Sequence, residues 1–109
     1  MSEYFYNVEN AKKLAQFKQI RPDLFQAFAD FNGKVFAEGA LSTKVKELIA
    51  VAAAHMTQCP YCIAAHTKKA KAQGASDAEI TEAIFVAMAL RAGGSFAHGT
   101  VALEAMEAK

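Results

Sequence analysis

Residues 42–74 read STKVKELIAVAAAHMTQCPYCIAAHTKKAKAQG, and this stretch sets the fold class. Ser42 suits the N-cap of a helix reaching about Thr57, and Pro60 suits the first turn of the next. Gly74 ends that second helix, with Lys68, Lys69 and Lys71 placed to complement the negative end of its dipole. Only a few residues connect the two, so they form a tight pair. From Leu48 through Ala54 every side chain is apolar, which predicts a helix buried on all sides.

Working outward, the flanking segments are helical as well. A short first helix is expected from about Asn10 to Ile20, with Leu14, Phe17 and Lys18 on neighbouring turns. Pro22 opens a second, whose Leu24, Phe25, Phe28, Phe31, Val35 and Phe36 recur at three and four residues and form a core face before Gly39 stops it. After residue 74, Ser76-Asp77-Ala78-Glu79 is a capping box for a fifth helix through about Arg91; Gly93-Gly94 breaks the chain before a sixth helix toward Met106. Alternating β-branched runs between turn residues are missing. The expectation is all-α: a single domain over 1–109 built from about six short helices.

Composition bounds the function. An apolar share of 53% with 21% charged residues excludes a disordered chain. The net charge is +1, with Lys and Arg scattered among acids, which leaves no electrostatic footprint for nucleic acid or an anionic membrane. Met1-Ser2-Glu3-Tyr4-Phe5 lacks a basic segment followed by an apolar one, and no stretch approaches the roughly 18 uninterrupted apolar residues of a membrane span. A soluble cytoplasmic protein is expected. In a reducing cytosol a close cysteine pair is more often catalytic or metal-binding than a structural staple.

The two cysteines stand as Cys59-Pro60-Tyr61-Cys62 at a helix mouth, and His66 follows one turn later. Positions i, i+3 and i+7 put all three on one stripe. Unpaired N–H groups and the dipole of a helix start favour a thiolate at Cys59; His66 favours one at Cys62, as general base or as imidazolium. The spacing leaves open which sulfur attacks, and it lets the pair close into a disulfide. A zinc site on Cys59, Cys62, His66 and His55 is the competing use. Against it, three of those ligands share one helix, and there is no second CxxC or HxxxH. Two inert buried cysteines are the third reading. A thioredoxin motif would need a βαβ context that this chain lacks.

Glu47, at the start of the apolar helix, lies opposite the Val45, Ile49, Ala52, Met56 face. It is either a desolvated carboxyl able to hold or pass a proton near neutrality, or the last solvated residue of a charged first turn after Lys44 and Lys46. Tyr61 is expected to cover the sulfurs or line the mouth of a substrate pocket together with His55. As single histidines on apolar helices, His55 and His98 otherwise read as packing residues, and Met56, Met88 and Met106 as core.

Glu47, eleven residues, Cys59-Pro60-Tyr61-Cys62, three residues and His66, in a short helical chain, resemble the AhpD-like (alkylhydroperoxidase D-like) core of the carboxymuconolactone decarboxylase family. The likeness spans roughly Leu41 to Gly94. It implies an AhpD-like helical bundle in homo-oligomers, commonly trimers or hexamers, with Cys59 and Cys62 as redox cysteines, His66 as relay histidine and Glu47 as relay acid. Some members carry a histidine where this chain has Tyr61, which removes one proton carrier. The implied activity is that of a peroxiredoxin-type antioxidant enzyme. It would reduce a hydroperoxide or a small disulfide without metal or flavin cofactor and be restored by a dithiol donor such as a lipoyl group. The alternative within the resemblance is a decarboxylase acting on a small lactone acid, which needs no dithiol. Association is also expected because the early aromatics, Phe5, Phe25, Phe28, Phe31 and Phe36, exceed what one small core requires, so the N-terminal helices should pack partly on a neighbouring subunit.

Overall fold

A computed structural model describes residues 6–109; the expectations placed on Met1-Ser2-Glu3-Tyr4-Phe5 lie outside the described residues. The fold is all-α, with no strand among the described residues. A 3-10 segment, Val8–Ala15, runs into α1 (Gln16–Ile20), followed by α2 (Pro22–Phe36), α3 (Thr43–Thr57), α4 (Pro60–Ala72) and α5 (Asp77–Glu107).

The helix ends follow the expected chemistry. Ser42 Oγ accepts the Val45 N–H at 3.2 Å, so α3 begins where a hydroxyl satisfies one of its orphan donors. Gln58 closes α3 in the left-handed region, at φ 58° and ψ 44°, and the Cys59 N–H bonds the Ala54 carbonyl at 3.1 Å. That single residue reverses the chain, and Pro60 starts α4 at once. The Ser76–Glu79 capping box closes reciprocally at 3.0 and 2.9 Å and opens α5.

Three boundaries differ from expectation. The first helix is 3-10 before it becomes α at Gln16: Asn7 Oδ1 accepts the Glu9 N–H at 3.0 Å, and the Asn10 N–H reaches back three residues to the Asn7 carbonyl. The second ends at Phe36 rather than Gly39, as the Phe36 carbonyl turns to the Thr43 hydroxyl at 2.8 Å. Among the described residues the expected sixth helix is not separate from the fifth. α5 passes through Gly93 and Gly94 without a break and reaches 31 residues. Each glycine costs only about 1 kcal/mol against alanine, and the Ala, Leu, Val, Phe and Met residues around the pair hold the helical state. By length and composition alone the merged helix could cross a membrane, although, as expected, it holds no run near 18 uninterrupted apolar residues, because Glu82, Arg91 and Glu104 interrupt it.

The core is small and narrow. α3 packs against α4 and α5, and Val51, Ala70, Ala75 and Ile80 are buried at their junction with Leu48 and Ile84 against them. Alanines at 70, 54 and 87 allow close approach of the helix axes. Much of the apolar surface expected inside is outside in the single chain. Phe28 and Phe31 are 68% and 64% exposed, so the α2 stripe is not a core face of this chain; Met56, Met88 and Met106 are exposed too. α3 is likewise not buried all round. Its Val45, Ile49 and Met56 face outward while Glu47, Val51 and Ala54 are buried. The distal half of α5 extends beyond the other helices, giving extents of 58 × 34 × 31 Å. The radius of gyration is 18.3 Å, against about 13 Å for a compact chain of this length.

Candidate functional site

The buried stripe of α3 carries an acid. Glu47 is 4% exposed, one turn before Val51 and two before Ala54 on the side of α3 that faces its neighbours. A carboxylate so placed needs a partner. His66, from the second turn of α4, supplies it: Nδ1–H donates to Glu47 Oε2 at 2.6 Å. Glu47 is thus the enclosed acid of the two readings, not the solvated one. With Nδ1 occupied, Nε2 is the imidazole nitrogen left for proton exchange. Phe36, at the end of α2, stacks on the same ring with centroids 5.1 Å apart and planes 20° off parallel.

Cys59 is the N-cap of α4, and its Sγ accepts the Cys62 N–H at 3.3 Å. Hydrogen bonds from the Cys62 side chain, and then from its backbone N–H, hold the Cys59 thiol below the ordinary range. The same sulfur–sulfur hydrogen bond, with burial and the Cys59 charge behind it, pushes Cys62 up. The two thiols are thus shifted in opposite directions, Cys59 down at the helix start and Cys62 up beside the groove. Both cysteines are free thiols and half-buried.

Cys62 and His66 share an open, mostly apolar groove of about 280 Å³ with Phe36, Ala50, Ala53, Ala54 and Thr57. The structure thus brings Cys59, Cys62 and His66 together on one stripe of α4, as their spacing predicts, and sets Glu47 against His66, as the family resemblance implies. Tyr61 and His55 stand elsewhere. Tyr61 meets Tyr6 edge-on at 6.1 Å and lines a separate cleft with Asn10, Ala11 and Leu14. His55 Nδ1 bonds the Val51 carbonyl of its own helix at 2.7 Å, which leaves it a packing role. Among the described residues no three His, Cys, Asp or Glu side chains are arranged to hold a metal ion, so the zinc set of Cys59, Cys62, His66 and His55 is not assembled. Phe36, Ala50, Ala53 and Thr57 are the site residues the sequence reading missed. The alanines repeat with the α3 period on the side next to Glu47, a signal available beforehand; nothing in the sequence ties Phe36 to His66.

The chain as a whole is similar to known proteins. The family model described as "Carboxymuconolactone decarboxylase family" matches residues 22–105. A protein of Paracoccus denitrificans, described as uncharacterized protein 4 in cox locus, is 49% identical over 81 residues, 74% of this chain and 73% of that protein. A carboxymuconolactone decarboxylase family protein from Legionella pneumophila has a similar crystal structure, with TM-score 0.73, 34% identity and coverage of 91% of this chain and 88% of that one. A crystal structure from Methanobacterium thermoautotrophicum also matches at TM-score 0.73, with 30% identity over 78% of this chain and 96% of the other.

Proposed function

The chain belongs to the carboxymuconolactone decarboxylase family, and from that premise we propose that it is a thiol-dependent hydroperoxidase, able also to reduce small disulfides. Cys59 and Cys62 form the redox pair, with His66 and Glu47 as proton relay. The observation that carries this reading is the enclosed carboxylate–imidazole pair at 2.6 Å beside a groove that Cys62 lines.

The reaction follows from the unequal thiols. Cys62 lines the groove but holds its proton, so His66, braced on Glu47, takes that proton through Nε2. The Cys62 thiolate attacks the terminal peroxide oxygen, the O–O bond breaks, and the alkoxide leaves as alcohol with the proton from His66. Cys62 is now a sulfenic acid. Cys59, already ionised at the helix start, attacks the Cys62 sulfur and expels hydroxide, which becomes water by taking a proton from solvent. The peroxide has gained two electrons and the dithiol has become a disulfide. A small disulfide reacts by the same geometry through a mixed disulfide that Cys59 resolves. A dithiol donor of the lipoyl kind returns the two electrons. This chemistry belongs in a reducing compartment such as the cytoplasm.

We assign the exposed apolar faces of α2 and distal α5 to contacts between copies of this chain, in a homo-oligomer of the trimer or hexamer kind. The proximal half of α5 is packed on α3. By length and composition α5 could also cross a membrane; against that use, Arg91, which donates to the Met56 carbonyl of α3 at 3.2 Å, and Glu104 and Glu107 farther along interrupt its apolar run.

The deciding experiment is turnover of tert-butyl hydroperoxide with dihydrolipoamide as donor. One dithiol should be oxidised per peroxide, and Cys59→Ser and Cys62→Ser should each abolish turnover while circular dichroism is unchanged. Full activity in either variant would sink the dithiol mechanism. Decarboxylation of a small lactone acid by the doubly substituted protein would establish the alternative activity instead.

A further inference from the structure

We propose that Phe36 is the positioning residue for the His66 imidazole, and so for the proton transfer at Cys62. A single hydrogen bond at Nδ1 does not fix a histidine ring, because its second side-chain torsion has a broad energy well. Glu47 sets one point of the ring, and the remaining freedom is rotation that would swing Nε2 across the groove. The Phe36 ring, 5.1 Å away and 20° from parallel, lies against a face of the imidazole and closes that rotation.

The plate is itself anchored. The Phe36 carbonyl accepts from Thr43 Oγ1 at 2.8 Å, and the next carbonyl, that of Ala37, accepts from Lys46 Nζ at 2.7 Å. Thr43 and Lys46 belong to the first turn of α3, and Glu47 follows directly. The carboxylate that grips the imidazole edge and the aromatic ring that lies on its face are therefore tied to one turn of one helix, and His66 enters between them from α4. The end of α2 could have been covered by any apolar side chain. A flat one placed in the groove, against the relay base, does what a leucine of similar bulk would not.

This role rests on the relay proposed above, but its test does not require peroxide turnover. In a Cys59→Ser background, alkylation of Cys62 by iodoacetamide at neutral pH reports how well His66 withdraws the thiol proton. Phe36→Leu should slow it by about threefold to tenfold, the worth of one aromatic pair. Phe36→Tyr, which keeps the stack, should restore the rate. In parallel, the His66 ring protons of the wild-type chain should be shifted upfield by the Phe36 ring current, a shift kept in Phe36→Tyr and lost in Phe36→Leu. Wild-type alkylation in Phe36→Leu overturns the proposal, as does a Tyr variant as slow as the Leu variant. If Phe36→Leu does not fold, the absence of the upfield shift in the wild-type protein overturns it by itself. A chain that shows the ring shift and the alkylation pattern but reduces no hydroperoxide would retain the positioning role and lose the peroxidase reading.

Discussion

Glu47 of α3 and His66 of α4 meet at 2.6 Å across 19 positions of sequence, with the carboxylate enclosed and the imidazole partly open to the groove. The helix that carries Glu47 turns Val45, Ile49 and Met56 outward to keep the acid in. If the pair relays protons, Glu47→Gln is the sharpest probe, since the amide can hold the ring but cannot share its proton. Peroxide turnover should fall by about a hundredfold or more, with helical content unchanged. Steady-state kinetics showing less than a severalfold loss would remove Glu47 from the mechanism.

The cysteines predict a pH dependence. A thiol whose pKa is lowered is ionised over a wider range on the acid side, so at neutral pH Cys59 should carry more thiolate than an ordinary cysteine. Its alkylation rate should rise with pH around a midpoint below the usual thiol value. In Cys62→Ala the first cause of the shift is gone and only backbone donors remain, so the midpoint should move up toward the ordinary value. A midpoint that stays where it was would mean that the helix start alone sets the Cys59 acidity.

Ala70 of α4 is fully buried against α3 and the start of α5, in the cluster with Val51, Ala75 and Ile80. Ala70→Leu has no space to fill and should cost about 1–3 kcal/mol, seen as a lower urea midpoint at unchanged slope. Unchanged stability would show a looser junction than the burial implies.

Most of the site was legible because its logic is local. CxxC at a helix start and His66 one turn on follow from helix periodicity, whereas Glu47, just before the apolar run, reads equally as an enclosed or a solvated acid, and only the family resemblance gives it a role. The Ser42 and Ser76 caps were legible for the same reason. What escaped is what depends on tertiary competition. The Gly93-Gly94 pair breaks a helix on propensity alone, yet each glycine's local cost is small beside the rest of a 31-residue helix. The α2 stripe has the period of a core face, and period does not say whose core; Phe28 and Phe31 face outward here. Phe36 and His66 come together only because α2 ends beside the first turn of α3, a contact without a sequence signature.

That the glycines stay helical has its own consequence. A side-chain carbon added at Gly93 meets nothing within 4 Å, and the residue lies in a regular helix. Gly93→Ala should therefore raise stability by up to about 1 kcal/mol, measured as a higher midpoint in thermal melts. A lower midpoint would reveal another backbone packed against the glycine, which in this chain means a second copy.

The distal half of α5 gives the last prediction. Phe96 is 88% exposed there, and Val101, Leu103 and Met106 are exposed beyond it. An apolar helix face that size left in water favours association. The face on α2 made by Leu24, Phe28 and Phe31 has helical spacing and also lacks cover. Burial of both kinds of surface in one assembly would account for the elongated single chain and for the apolar character of α5. Sedimentation of the wild-type protein should give a closed oligomer, and Phe96→Asp should shift it toward smaller species by placing a charge in the contact. A wild-type protein that sediments as a monomer at tens of micromolar, or that floats with phosphatidylcholine vesicles, would show that these faces serve something other than a second copy of the chain.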